Sequence, residues 1–198
     1  VGVSKGCPWK HRRILNEEVL DTDKLHRFSE KYNKDMEQCV IKYLLKNKIV
    51  YHDFEKISRE MIGKIIFNTT NIHEDVFNIF SEANNVMVFY TDFSISNKTM
   101  NNYLNFLKKH IRNPINNSLV ELCVENEDSE YEIIQQIPHF IFPIGGLFLT
   151  TIPRLLLILY NHKNKFQKIV NEIQKLSPSG NLSSSQIYKL TYLRKCIM

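Results

Sequence analysis

Trp9 and Arg13 are the first residues whose types and spacing could do chemistry together. They stand four positions apart in a basic, amphipathic stretch that predicts a helix, so both side chains share one face. An indole N–H and a guanidinium on one face can both donate to a carboxylate, for which arginine is well shaped. Two alternatives are an ordinary surface helix, or a nucleic-acid patch at residues 10–13 that lacks interleaved aromatic residues.

The remaining composition favours few other kinds of site. The chain has 198 residues and a net charge of +5, too small an excess to indicate nucleic acid, which we do not expect as a partner. Its four cysteines are far apart and form no CxxC pair, and its histidines form no HExxH motif, so we predict no metal site and no disulfide framework. Cys39 and Cys123 stand among apolar neighbours and are interpreted as small buried hydrophobes.

The longest apolar segment covers residues 134–160 and contains one charge, Arg154. It is long enough to cross a bilayer. However, Arg154 would cost about 3 kcal/mol near the bilayer centre, and three prolines interrupt the segment. We therefore predict a helix that is kinked at the prolines and buried on all sides by other helices.

The elements that must position these residues are amphipathic helices, since apolar residues recur at three- and four-residue steps. Asp53 is predicted to cap one helix, Asn113-Pro114 to end another, and Ser183 with Gln186 to form a capping box. The predicted fold class is all-α, a multi-helix orthogonal array around one long central buried helix. We expect residues 1–198 to be a single, incomplete domain. The other helices are predicted near residues 9–19, 22–46, 53–65, 73–90, 97–111, 117–124, 162–176 and 187–198.

Three separated pieces of the chain, in this order, resemble the cytochrome P-450 superfamily. GCPWKHRRILN (residues 6–16) is similar to that family's C-helix pattern, a Trp followed four residues later by Arg or His. HFIFPIGGLFLTTIPRLLLILYNHKNKFQKIVNEI (residues 139–173) is similar to its long I helix running into its J helix. LTYLRKCIM (residues 190–198) is similar to the entry into its K helix. The resemblance covers essentially the whole chain, although residues 49–132 match only in helical character.

The resemblance implies a haem cofactor, iron protoporphyrin IX, and assigns residues to it. Trp9 and Arg13 would bind a haem propionate, and Gly145 and Gly146 would let the flat macrocycle approach the long helix closely. Mid-helix glycines cost about 1 kcal/mol each relative to alanine, so some close approach should justify them. Close packing against another helix is the alternative.

The chain departs from the family's pattern at the acid–alcohol pair of the I helix, which helps deliver protons to iron-bound oxygen. Aligned without gaps, Gly146 and Leu147 stand at these two positions. A shift of three residues puts Leu149 and Thr150 there instead. The expected catalytic positions are therefore Gly146, Leu147 and Thr150, with the acid absent, and proton delivery by the usual pair is in doubt.

The family binds iron through a Cys thiolate in a loop beyond the K helix. These residues contain no such loop, so we expect the axial Cys outside this chain and the 198 residues alone to be inactive. The implied function is a segment of a monooxygenase that inserts one oxygen atom from O2 into an apolar small-molecule substrate. The resemblance also implies an electron-transfer redox partner. The sequence leaves the compartment unknown: the cytoplasm, or the cytoplasmic face of a membrane reached through a missing N-terminal region.

Two other functions stay open at this point. The first is a helical membrane-anchored or scaffold protein with residues 134–160 as a transmembrane span. The second is a haem-free, degenerate relative of the same family that serves a binding role.

Overall fold

The computed structural model describes residues 7–22, 24–89 and 95–197, without the side chains of residues 7–9, 81, 83–89 and 197. Throughout these residues the regular structure is helical and no strand is present, which confirms the prediction of an all-α fold. The elements are α1 (Cys7–Leu20), α2 (Ser29–Leu44), α3 (Tyr51–Ile62), the π-helical turn π1 (Gly63–Phe67), α4 (Glu74–Phe89), α5 (Asn97–Arg112), α6 (Leu119–Asn126), α7 (Glu130–Phe142), the π-helical turn π2 (Pro143–Leu147), α8 (Phe148–Asn161), α9 (Lys163–Leu176), α10 (Ser184–Tyr188) and α11 (Thr191–Ile197).

Four of these helices have a serine as the N-cap residue. The hydroxyls of Ser96, Ser118 and Ser129 accept hydrogen bonds from the backbone N–H three residues further on, at 3.1, 3.0 and 3.3 Å. Ser183 does the same for the N–H of Gln186, whose side chain accepts in return from the N–H of Ser183 at 2.9 Å. The predicted capping box is therefore confirmed.

Two other predicted helix boundaries have different outcomes. The α5 helix ends at Arg112, directly before the Asn-Pro pair that was expected to stop it. Asp53, in contrast, is not the N-cap of α3, because that helix begins two residues earlier, at Tyr51. The Asp53 carboxylate instead reaches back and accepts a hydrogen bond from the N–H of Val50 at 2.9 Å.

The main hydrophobic core lies where α5, α6 and α7 pack against π1 and α4. The α7 helix buries Ile133, Ile137 and Ile141 on its inner face, and α5 buries Leu107. Each side chain of this size contributes roughly 1.5–3 kcal/mol when fully buried. A second, smaller cluster joins α2 to α3 through Cys39, Ile57 and Met61.

The elements α7, π2 and α8 form one continuous long helix, Glu130–Asn161. This long helix is not buried on all sides, so this part of the predicted fold is wrong. Its first half, α7, is in the core, but Leu159 is the one buried residue of α8. Leu147, Leu157 and Tyr160 are 55%, 63% and 78% exposed. The reason is that α8 packs on α3 and α9 along one side, while no described element covers the other.

An ion pair between the buried Asp21 and the partly exposed Arg27 closes the turn between α1 and α2. Asp21 is buried and has a positive φ of 49°, a conformation that Asp and Asn tolerate better than most residues. Its carboxylate accepts hydrogen bonds from the N–H and from the Nε of Arg27, at 2.8 and 3.0 Å. These bonds, above all the one from the guanidinium, hold the pKa of Asp21 well below its usual range.

Asp21→Asn should therefore lower stability at neutral pH and have less effect in acid. A lowered folded-state pKa stabilises the fold above the unfolded-state pKa of about 3.9, and that stability is lost as pH falls through the folded value. We expect a loss of about 1 kcal/mol at pH 7, since Arg27 is partly exposed. Urea unfolding of both proteins at pH 7 and in strong acid measures the difference; an equal loss at both pH values would contradict the prediction.

Candidate functional site

The long helix changes its hydrogen-bonding pattern at π2, in the middle of the apolar segment. The N–H of Phe148 donates to the carbonyl of Pro143, five residues earlier, which makes this turn π-helical. The buried side chain of Ser58, on α3, contacts this turn. Its hydroxyl donates a hydrogen bond to the carbonyl of Ile144 at 3.0 Å. Single π-helical turns inside α-helices occur frequently at functional sites.

A cavity of about 250 Å³ lies beside π2. Its walls come from α3, α4 and the long helix, and they are mainly apolar and aromatic, as in many small-molecule sites. Three of the predicted site residues line it together, namely Gly145, Gly146 and Thr150. The other lining residues are Tyr51, Glu55, Ser58, Arg59, Ile62, Phe77, Phe80, Ile141, Phe142 and Leu149.

The two glycines face neighbouring side chains at ordinary contact distances. A Cβ atom placed on Gly145 would lie 3.5 Å from Cδ1 of Ile62, on α3. One placed on Gly146 would lie 3.6 Å from the ring of Phe142, one turn earlier in the same helix. Gly145 therefore faces another helix, but at a distance that leaves room for a Cβ atom, so the close packing offered as the alternative interpretation of the glycine pair is not present.

The two candidate positions for the alcohol of the acid–alcohol pair differ in whether they line the cavity. Thr150 lines the cavity, and its hydroxyl donates back to the carbonyls of Gly146 and Leu147, at 3.1 and 3.2 Å. Its proton is thus held by its own helix, while its oxygen can still accept a hydrogen bond. Leu147, the position given by the gap-free alignment, is exposed and is not among the lining residues.

An acid does line the cavity, but it comes from α3 rather than from the long helix. Glu55 stands on the cavity wall and pairs with His52 at 2.7 Å. Arg59 is next to it on the wall, with its guanidinium 4.7 Å from the ring centre of Phe77 and 3.5 Å from Glu74. Sequence reasoning missed both residues, because no local signal indicates which face of α3 meets the long helix.

The predicted carboxylate-binding pair is only partly described. The side chain of Trp9 lies outside the part of the chain that the structure describes. Arg13 is exposed, does not line the cavity, and donates from Nε to Glu17 at 2.7 Å, a contact that raises its pKa. Its neighbour Arg12 instead contacts the long helix, through an ion pair with Glu132 at 3.0 Å and a hydrogen bond to Gln135.

A set of hydrogen bonds to Glu172 joins α9 to the start of α11. The carboxylate of Glu172 accepts hydrogen bonds from the N–H groups of Tyr192 and Leu193, at 2.8 and 3.1 Å, and from the hydroxyl of Thr191 at 3.1 Å. Desolvation alone would raise the pKa of Glu172, but these hydrogen bonds together lower it. Glu172 therefore caps α11 from a different helix.

The cysteines and the search for metal ligands add no further site. Burial raises the pKa of the Cys39 thiol to about 11 and that of Cys123 to about 12, so both are neutral. No group of three His, Cys, Asp or Glu side chains among the described residues could hold a metal ion. Comparisons with models of known protein families, with characterised proteins and with solved structures found no match to this chain.

Proposed function

We propose that this chain is the distal, helical segment of a haem-thiolate monooxygenase of the cytochrome P-450 kind. The complete enzyme would insert one oxygen atom from O2 into an apolar small molecule, with electrons from a redox partner. The chain would supply the contacts to the haem propionates and the helix on the distal side of the haem. The axial Cys would come from residues beyond this chain.

The observation that carries the proposal is that the second and third pieces of sequence resemblance contact each other directly, while the first contacts the helix that leads into the second. The first piece contacts this helix through Arg12, which binds Glu132 and Gln135, shortly before the second piece begins at residue 139. The second piece reaches the third through Glu172, which caps α11.

The described residues fit part of a haem site rather than a whole one. The cavity of about 250 Å³ is smaller than most ligand pockets, so it is suited to a small substrate or to O2 rather than to a porphyrin. The uncovered face of π2 and α8, which includes the exposed Leu147 and Leu157, is the kind of apolar surface that a flat macrocycle or another part of the protein would cover. Cys39 and Cys123 do not fit the role of the axial thiolate, since both are buried and neutral.

In this proposal each residue has a limited task. Trp9 and Arg13 would bind a propionate, and the haem would supply the chemistry of oxygen activation. Thr150 would accept a hydrogen bond at the cavity wall. Glu55 would take the place of the acid that is missing from the long helix, since it lines the same cavity.

The proposal is tested on the protein made from its complete reading frame. We expect the reduced protein with CO to give the thiolate-type Soret band, and the 198-residue chain alone to give none. Arg13→Gln should weaken haem binding about tenfold, the value of one charge-assisted hydrogen bond. The matched control is Arg112→Gln, which also removes an exposed arginine paired with a glutamate.

Three results would contradict it. If the complete protein folds but shows no thiolate-type band, it is a haem-free relative. If Arg13→Gln and Arg112→Gln bind haem equally well, Arg13 is not a propionate ligand. If the 198-residue chain alone gives the band, the axial ligand lies within it and the assignment of a distal segment is wrong.

A second candidate, a membrane-anchored helical protein, is favoured by one observation. Among the described residues one helix, Glu130–Asn161, is long and apolar enough to cross a membrane, and only 6% of its most apolar window is buried. Since α7 is in the core, the available part is residues 143–161, about 28 Å long. A cysteine introduced at Leu157 would then be shielded from a membrane-impermeant thiol reagent by lipid vesicles, whereas in the monooxygenase vesicles would not change its labelling.

A further inference from the structure

The helices α2 and α3 pack against each other and form a hairpin whose tip, residues 45–51, is exposed at every position. Most residues of the hairpin tip are apolar or aromatic, namely Leu45, Ile49, Val50 and Tyr51. These four are between 43% and 75% exposed. Among the described residues, no other leucine, isoleucine or valine is as exposed as Leu45. The hairpin tip therefore presents a group of apolar side chains to the solvent.

The backbone of the hairpin tip is held in place from α3. The buried carboxylate of Asp53 accepts a hydrogen bond from the N–H of Val50 at 2.9 Å and binds Nζ of Lys46 at 2.6 Å. Behind the tip, the two helices are joined by a buried apolar cluster. Because the loop is tied to a packed pair of helices, its apolar side chains stay at the end of the hairpin.

Positive charge is interleaved with these apolar residues. Residues 40–52 contain three lysines and no Asp or Glu. Two of the lysines, Lys42 and Lys46, pair with carboxylates of α3 and are still partly exposed. Lys48, at the centre of the hairpin tip, is exposed and forms no ion pair within the described part of the chain. The tip thus combines apolar groups with a solvent-facing cation.

The composition of the hairpin tip favours a lipid bilayer over a protein as its partner. Lysine is depleted in the cores of protein interfaces, and a stable interface uses about 20–30 residues on each side, far more than the tip supplies. At a bilayer, in contrast, lysine lays its apolar stem beside the acyl chains and keeps its ammonium at the head groups. Tyrosine is enriched at the same depth, and anionic lipids attract each lysine in addition.

We propose that the hairpin tip docks this protein on the surface of a bilayer that contains anionic lipids. Leu45 and Ile49 enter the boundary between head groups and acyl chains, and Lys48 contacts the anionic head groups. The contact is peripheral and reversible, unlike a membrane span through α8. It does not depend on haem or on the cavity beside π2.

The experiment measures binding of the 198-residue chain to vesicles by flotation. One set of vesicles contains three parts phosphatidylcholine to one part phosphatidylserine, and the other contains phosphatidylcholine alone. We expect saturable binding to the mixed vesicles that weakens as salt is added, because salt screens exposed charges. Binding to phosphatidylcholine alone should be about tenfold weaker.

The apolar part of the contact is tested at one exposed leucine. Leu45→Ser should weaken binding to the mixed vesicles about fivefold, because a partly inserted apolar side chain is lost. The matched control is Leu157→Ser, which removes an exposed leucine from α8 and should leave vesicle binding unchanged. Both residues are exposed, so circular dichroism should show no change in helix content for either variant.

The charged part is tested at the lysine in the centre of the tip. Lys48→Gln should weaken binding to the mixed vesicles about fivefold and leave binding to phosphatidylcholine alone unchanged. The matched control is Lys34→Gln, which removes an exposed lysine from the part of α2 that is far from the hairpin tip. This control should bind as the unchanged chain does.

Four results would overturn the proposal. The first is the absence of saturable binding to the mixed vesicles. If Leu157→Ser reduced binding and Leu45→Ser did not, α8 would be the element that meets lipid. Equal losses for Lys48→Gln and Lys34→Gln would mean that the attraction is not centred on the hairpin tip. If the chain bound no vesicles but sedimented as a dimer that Leu45→Ser dissociates, the tip would be an interface between two copies.

Discussion

Gly63→Ala should lower the free energy of unfolding by about 3 kcal/mol, the upper end of the usual cost of overpacking. A Cβ atom at Gly63 would lie 2.9 Å from Cδ1 of Ile72 and closer still to the carbonyl oxygen of Thr69. That carbonyl cannot easily move away. The N–H groups of Asn68 and Thr69 both donate to the carbonyl of Gly63, and Asn68 has a positive φ of 49°, so the chain folds tightly back onto π1.

The matched control for this variant is Gly145→Ala, in the other π-helical turn. Its Cβ atom would meet Ile62 at 3.5 Å, an ordinary contact. Alanine there should raise the free energy of unfolding by about 0.5–1 kcal/mol through better helix propensity. Urea unfolding followed by circular dichroism measures both variants. Equal effects of the two substitutions would mean that the close approach at Gly63 is not what requires a glycine.

Ile137→Ala should also cost about 3 kcal/mol, whereas Leu157→Ala, in the same long helix, should change stability by less than about 0.5 kcal/mol. The two residues belong to one apolar stretch of sequence, but Ile137 is fully buried and Leu157 is 63% exposed. Removing the buried side chain leaves a cavity in the core, while removing the exposed one leaves no cavity.

Thermal or urea unfolding of the 198-residue chain measures the contrast, and Leu159→Ala, at the buried position of α8, is an internal control with an intermediate cost. Similar losses for Ile137→Ala and Leu157→Ala would show that α8 is covered. If the chain is a segment of a larger enzyme, as proposed, Leu157→Ala should become costly in the complete protein, because further residues would then pack on that face.

Local signals made much of the fold predictable. Helix type follows from apolar residues at three- and four-residue steps, and ends follow from residues that act on their immediate neighbours. The capping box of Ser183 and Gln186 depends only on residues within one helical turn. The Asn-Pro pair after Arg112 likewise ends a helix through a local steric clash. These effects need no knowledge of the tertiary structure.

What the sequence did not reveal depends on distant residues. The apolar pattern of residues 134–160 is the same whether α8 is covered or not, so its exposure could not be read from it. Arg12 and Arg13 are adjacent, yet only the packing of α1 decides that Arg12 contacts Glu132 while Arg13 is exposed. The role of Glu55 in the cavity wall likewise depends on how α3 crosses the long helix.

The hydrogen bond from Ser58 to the carbonyl of Ile144 has a mechanical consequence. Since π2 carries the glycine pair, and α3 forms the facing wall, one bond links both sides of the cavity. A shift of α3 along its axis that kept this bond would carry the backbone of π2 with it, so the two walls would move together and the space between them would keep its width.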